Sequence, residues 1–359
     1  MLLKFTSLLG FLAVASATDC VGVIRSLTDV AANQNCSTVN IYGFTVPPGQ
    51  PFNINLAQGA TVNLKGDIHF GNLSWAGPMF TISGKNIIFK GNGHIFNGGG
   101  PFYWDGLGSN GGTIKPRPMM KIKISGRFTN VKVVNSPAQT FSVGNPGPLT
   151  ISGVYIDNSQ GDRPNAQSNG LPAGHNTDGF DCSTMDLAIE DCNVKNQDDC
   201  LAINKGSNIT FTNNQCRGGH GISIGSISAN VSVSNIVISN NVITDNDQAL
   251  RIKMKVDATN STVTNITYSG NTASGCRDFG VLIDQSYPSI LAAPGSGVLL
   301  SDVNFVGKTN VIHVNNDADR VAVNCGAGAC LGTWDWSSLK VTGGIPGPVT
   351  YNGISGYIQ

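Results

Sequence analysis

The sequence predicts an all-β chain folded as a parallel β-helix, a single solenoid domain over residues 18–359. Three observations carry that expectation. The middle of the chain repeats itself, loosely, every 20 to 30 residues. Each repeat has apolar residues at alternate positions and then a polar turn, the pattern of a half-buried strand. The composition, with 45 Gly in 359 residues, suits many short strands joined by tight turns. Strand-and-turn repeats of this length stack as a solenoid. The absence of helical patterning between strands argues against a βα architecture, and a propeller would need four strands per blade and a longer period.

Taken in order, the chain opens on a segment with the marks of a signal peptide, residues 1–17. Lys4 gives a positive start, Phe5 to Val14 is an apolar run, and Ala15-Ser16-Ala17 offers small residues for cleavage. That run is too short to span a bilayer, and no later stretch approaches the ~20 apolar residues needed. The expected location is secreted and extracellular. Nine cysteines agree with an oxidising compartment. Close spacing suggests the pairs Cys20–Cys36, Cys182–Cys192, Cys200–Cys216 and Cys325–Cys330, with Cys276 a buried free thiol; spacing does not fix connectivity. A zinc site is poorly supported, because no C-x-x-C pair exists and the histidines are scattered. Sequons at Asn35, Asn72, Asn208, Asn230, Asn260 and Asn265 are candidates for glycosylation. Only 12% of residues are charged and the formal net charge is zero. Such a chain has no electrostatic footprint for nucleic acid or an anionic membrane, so an acidic ligand must be met by a few placed cations.

Two strand families follow. One begins at Leu149, Leu187, Ile209, Ile236 and Ile266, each ending in a polar turn such as Asn213-Asn214. The other reads G-F-D-C from Gly179, C-L-A-I from Cys200, G-I-S-I from Gly221, A-L-R-I from Ala249 and G-V-L-I from Gly280. Its apolar positions align: Phe180, Leu201, Ile222, Leu250 and Val281, then Cys182, Ile203, Ile224, Ile252 and Ile283. These side chains are expected to stack inward, one per coil, while Ser223, Arg251 and Lys253 point outward. Stretches near Pro47, Pro164, Pro294 and Pro346 read as long turns, and no linker divides the chain.

The chemistry sits where that second family begins. Asp178, Asp199 and His220 precede its first three strands at equal steps of 21 residues. They are therefore expected one above another on coils about 4.8 Å apart. Asp198 lies beside Asp199, and Arg251 and Lys253 share the outward face. Three carboxylates this close cannot all ionise cheaply, so at least one should keep its proton at a higher pH than a free Asp. Carboxyl groups held in different states can serve as acid and base, which glycosidic hydrolysis requires. The cations can bind a substrate carboxylate. Any one of these residues alone would read as a turn or surface residue; their common register is what argues for a site.

The segments N-T-D (Asn176 to Asp178), N-Q-D-D-C (Asn196 to Cys200), G-H-G (Gly219 to Gly221) and R-I-K (Arg251 to Lys253), in that order, resemble the polygalacturonases of glycoside hydrolase family 28, particularly fungal endopolygalacturonases. The resemblance extends over nearly the whole mature chain, including Trp75 to Pro78, Tyr287 and Val341 to Gly344. It implies a right-handed parallel β-helix that hydrolyses the galacturonan backbone of pectin with inversion, from within the chain, using no metal and no cofactor. It assigns Asp198 as general acid, and Asp178 and Asp199 as the groups that activate water. His220 would tune the acid. Arg251 and Lys253 would grip the galacturonate carboxylate, helped by Asn176 and Tyr287. The implied partners are pectin and plant polygalacturonase-inhibiting proteins, for a monomer. Coil spacing brings the Asp178 and Asp199 backbones to about 5 Å, closer than the ~6.5–9.5 Å carboxyl separation of inverting enzymes; separation alone would suggest retention. Cys182, Cys192 and Cys276, and an end at Gln359 without a terminal cysteine pair, depart from the pattern. A pectate or pectin lyase would use Arg or Lys as base, commonly with calcium. A rhamnogalacturonan hydrolase is not expected to combine this G-H-G with R-I-K, and a noncatalytic β-helix binder has no need to align the acids with His220.

Overall fold

The computed structural model describes residues 17–359, so residues 1–16 of the expected signal peptide lie outside the described residues. The chain winds as a right-handed parallel β-helix. Each coil visits three sheets in turn. In one coil these are Asp199–Ile203, then Ile209–Thr212, then Gln215–Arg217, after which the chain re-enters the first sheet at Gly221. Parallel pairing joins each stretch to its counterpart one coil away.

The expected alternation sets the register. In the first sheet Phe180, Leu201, Ile222, Leu250 and Val281 pair in sequence, as do Cys182, Ile203, Ile224, Ile252 and Ile283. All ten are buried. In the second sheet Phe128, Ile151, Ile189, Phe211, Ile238 and Tyr268 do the same. Period-two side chains on a coil repeat thus become continuous apolar ladders, each buried side chain contributing roughly 1.5–3 kcal/mol. Where aromatics fall on neighbouring coils they stack, as for Phe89–Phe128 at 4.7 Å and Phe141–Phe180 at 5.1 Å between centroids.

The turn after the second sheet explains the N-N pairs. Asn213 and Asn240 adopt φ of 56° and 53°, a left-handed conformation that Asn tolerates. The next residue points inward: Asn214, Asn241, Asn271 and Asn310 are fully buried. Each of the first three donates its amide to Oδ1 of the next, at 3.1, 2.9 and 2.8 Å. The backbone N–H groups of Asn214, Asn241 and Asn271 donate to those same oxygens.

Both ends of the stack are covered. A helix, Val30–Asn33, lies across the first coil with Val30 buried. Trp334 and Trp336, both fully buried, pack with Tyr351 and Tyr357 at the last.

Cys20–Cys36, Cys200–Cys216 and Cys325–Cys330 are bonded as expected, and Cys276 is a buried free thiol. The expected Cys182–Cys192 bond is not formed; both are free and buried. Cys182 belongs to the first-sheet ladder, whereas Cys192 follows the second-sheet stretch of the same strand, Phe180–Glu190. Extended residues advance ~3.3 Å each, which carries the two Cα atoms beyond the ~4.4–6.8 Å a disulfide spans. All six sequon asparagines are exposed. No helix of the described residues is long and apolar enough to cross a membrane.

Candidate active site

The first sheet turns its outward residues toward a cleft of about 320 Å³. All eight expected residues line it: Asn176, Asp178, Asp198, Asp199, His220, Arg251, Lys253 and Tyr287. Asn110 on a loop and Tyr287 at the end of the strand Phe279–Tyr287 bound it. Two larger hollows adjoin. One, of about 760 Å³, shares Gln139, Asp181 and Asn204 with the cleft. The other, of about 850 Å³, shares His175 and His220.

Local sequence explains how each motif is held. In N-T-D and N-Q-D-D-C the uncharged residues bind the two segments together. Thr177 Oγ1 donates to Gln197 Oε1 and accepts from the Gln197 N–H, both at 2.8 Å. The Asn196 amide donates to the Thr177 and Asp199 carbonyls, each at 3.0 Å. The Cys200–Cys216 bond anchors the strand that follows. In G-H-G both glycines are required by close backbone approach. A Cβ on Gly219 would lie 2.0 Å from the Asp198 carbonyl oxygen, and one on Gly221, at φ 84°, 2.0 Å from that of Gln248. Only glycine on both sides lets the chain pass closely enough to aim His220 at the acids.

The expected column of Asp178, Asp199 and His220 is modified by one irregularity. Asp178 and Asp199 do lie on neighbouring coils, with the Gly179 N–H donating to the Asp199 carbonyl. A register shift at Cys200 then pairs Asp199 with Gly221. His220 therefore stands beside Asp198, its N–H donating to the Asp198 carbonyl at 2.8 Å and Nδ1 lying 3.1 Å from Asp198 Oδ1.

The carboxylates fall into two kinds. Asp198 and Asp199 are surrounded by donors. Asp198 Oδ1 accepts from the Asp199 N–H at 2.7 Å, and Oδ2 from Asn176 Nδ2 at 2.9 Å. Asp199 Oδ1 accepts from Ser223 Oγ at 2.8 Å and Arg251 Nη2 at 2.6 Å, while Oδ2 accepts from Lys253 Nζ at 2.6 Å. Burial alone would raise both, but His220 and Lys253 hold Asp198 down, and Lys253 and Arg251 hold Asp199 down. Asp178 is the opposite case: its Oδ1 finds no hydrogen-bond partner among the described residues. Burial, then the charges of Asp198, Asp181 and Asp199, push Asp178 well above the usual carboxylate range. Asp181, whose outward position in G-F-D-C faces the same cleft, is pushed up to about 7 by burial and then by Asp199 and Asp198. His220 is raised; burial opposes its charge and Asp198 prevails.

Sequence reasoning missed Asp181, Thr177, Gln197 and the loop that reaches Asn176. Ser109 donates through both N–H and Oγ to Asn176 Oδ1, at 3.0 and 3.1 Å, so Asn176 links that loop to Asp198. The outward phase of Asp181 was available in the alternation; the loop was not. The donor atoms of Asp198, Asp199 and His220 fall within 4.8 Å of one another. Arg251 and Lys253 occupy both oxygens of Asp199.

Comparison with known proteins shows the family and the fold. The model of the glycosyl hydrolases family 28 matches residues 36–355. The chain belongs to that family. This family 28 hydrolase is 38% identical over 324 residues to a probable endopolygalacturonase of Aspergillus fumigatus, covering 88% of this chain and 83% of the other. It is 40% identical over 328 residues to an endo-polygalacturonase of Sclerotinia sclerotiorum, covering 89% and 82%. Endopolygalacturonase I of Stereum purpureum, solved with two galacturonates, superposes with TM-score 0.88 at 48% identity, covering 93% of this chain and 98% of that one. A polygalacturonase of Erwinia carotovora, 18% identical with TM-score 0.58 over 91% of this chain and 97% of that one, shares the fold.

Proposed function

We propose that this hydrolase cleaves α-1,4-galacturonosidic bonds inside polygalacturonate chains, with inversion, after secretion. The observation that carries the reading is the convergence of Asp178, Asp198 and Asp199 with Arg251 and Lys253 in one cleft open to hollows on either side. An open-ended cleft suits an internal bond of a polymer. A uronate carboxylate can take the place of one Asp199 contact on Arg251 and Lys253, with Tyr287 beside Lys253, whose Nζ lies 5.4 Å from the ring centroid. The names of the relatives support the substrate, and three disulfides fit an oxidising compartment.

In this reading Asp198 gives a proton to the glycosidic oxygen as the C1–O bond breaks. Water attacks C1 from the opposite face, and Asp178 with Asp199 takes up its proton. The resting site holds the acid's proton on His220. Transfer across the 3.1 Å contact converts imidazolium and carboxylate into imidazole and carboxylic acid. It also removes the Asp198 charge that raises Asp178, so Asp178 releases its own proton to solvent in the open cleft and acts as base. After the bond breaks Asp178 holds the water's proton, and solvent returns the proton that His220 gave up.

The raised proton affinity of Asp178 favours a second reading, in which Asp178 is the acid. One experiment tests both. An aryl galacturonide with a good leaving group needs no protonation, so it rescues the variant that lacks the acid and no other. Asp198→Asn should be inactive on polygalacturonate and active on the aryl substrate; rescue of Asp178→Asn instead would reverse the assignment. Product sizes on unmethylated polygalacturonate test internal cleavage, and the anomer first seen by proton NMR tests inversion.

A further inference from the structure

His220 meets a second carboxylate on its other side. Asp247 Oδ2 lies 3.4 Å from His220 Nε2, as Asp198 Oδ1 lies 3.1 Å from Nδ1. A neutral imidazole carries a proton on one nitrogen only, so an acid at each nitrogen is satisfied only by imidazolium. The arrangement is built into the coils. The His220 N–H donates to the Asp198 carbonyl, the Asp247 N–H to the Gly219 carbonyl, and the Asp278 N–H to the Asp247 carbonyl. Asp198, His220 and Asp247 thus form a column across three successive coils. The next coil supplies Arg277, whose Nε donates to Asp247 Oδ1 at 2.8 Å and whose Nη2 lies 2.6 Å from the same oxygen. Arg277 is itself fixed by the carbonyls of Asp245, Gly218 and Gly219. Those glycines adjoin His220, so one guanidinium clamps the acid and the turn that carries the imidazole.

We propose that Asp247, held by Arg277, is a positioning residue that keeps His220 in its imidazolium form beside Asp198 and thereby sets the upper pH limit of activity. The link to activity rests on the reading of Asp198 as the acid that draws its proton from His220. Other charges face the imidazole as well. Asp199 favours its proton and Arg251 opposes it. Asp278, on the coil beyond, feels Asp247, Arg277 and His220 together, and His175 lines the same hollow. Asp247 and Asp198 alone make contact with the ring through its nitrogens among the described residues, and Asp247 is the one with no other assigned part in the reaction.

The test uses the full-length enzyme and Asp247→Asn. The Asp247 side chain is 25% exposed, so the substitution leaves the core intact. Removing an opposite charge disfavours the protonated ring. The His220 midpoint, read by NMR titration of the ring, should fall by about one unit. The alkaline limb of kcat should move to lower pH by the same amount, with KM little changed, and Asp247→Glu should restore both. An unmoved NMR midpoint overturns the role of Asp247 and leaves the acid assignment standing. A midpoint that falls while the alkaline limb stays overturns the link to activity, and with it the route of the proton from His220 to Asp198.

Discussion

Asp198 and Asp178 are about equally buried, at 5% and 9% exposure, on neighbouring coils of one sheet, yet their surroundings push their proton affinities in opposite directions. Asp198, with its neighbour Asp199, is ringed by His220, Asn176, Arg251, Lys253 and Ser223. Asp178 and Asp181 have burial and like charge but few donors. Depth in a protein sets the cost of a charge; the donors that face it decide whether the charge is kept. The sheet exploits this by placing the R-I-K and G-H-G strands against Asp198 and Asp199, while among the described residues Asp178 and Asp181 have no ion-paired cation and feel only the charge of Lys253.

The largest effect should come from breaking the ionised half. Asp198→Asn removes the proposed proton donor while its outward position spares the core, so turnover on polygalacturonate should fall by at least ~10²–10⁴-fold, the usual share of general acid catalysis. Near-normal turnover in a folded variant would remove Asp198 from the mechanism. Lys253→Ala comes next. Losing a charge-assisted contact of ~1.5–3 kcal/mol should raise KM about 10- to 100-fold, less on methyl-esterified pectin, where the substrate charge is gone. Because Lys253 also holds Asp199 ionised, the acidic limb of the rate profile should move to higher pH. Equal loss on both substrates would mean that Lys253 does not read the carboxylate.

His220→Ala should reduce turnover without abolishing it and shift the alkaline limb downward, since in the proposed mechanism Asp198 draws its proton from His220. A full-rate enzyme with an unshifted limb would make His220 a turn residue. The smallest effect concerns stability. Folded Asp181 keeps its proton up to about 7, whereas unfolded Asp releases it near 3.8. The folded state binds more protons in that window, so this residue makes stability fall as pH rises through it. Asp198 and Asp199, depressed in the fold, contribute in the other direction, their stabilisation being lost as pH falls below the unfolded value. Asp181→Asn should flatten the decline in Tm between pH 5 and pH 7; an unchanged slope would show that Asp181 is ionised throughout.

The parts of the molecule that were legible in the sequence are those governed by period. Alternation placed Phe180, Leu201 and Ile222 in one ladder and sent Arg251 and Lys253 outward, because a strand has only two faces. Equal spacing brought Asp178 and Asp199 together. What escaped depends on irregularity or on partners remote in sequence. One extra residue at Cys200 moved His220 from Asp199 to Asp198. The short interval from Cys182 to Cys192 conceals an extended strand, so proximity in sequence misled. Nothing local in N-D-Q or C-R-D marks Asp247 and Arg277, which meet His220 only through the stacking of coils.

The capped ends have a consequence of a different kind. Every interior coil offers the same ledge above and below, so the asparagine column and the apolar ladders contain no instruction to stop. A stack of this sort is a template that would accept one more layer, including one from another molecule. The Val30 helix and the Trp334–Trp336 lid are what make the protein finite. Mutations that loosen them endanger colloidal behaviour before they touch the cleft, and end-to-end association would be their first symptom.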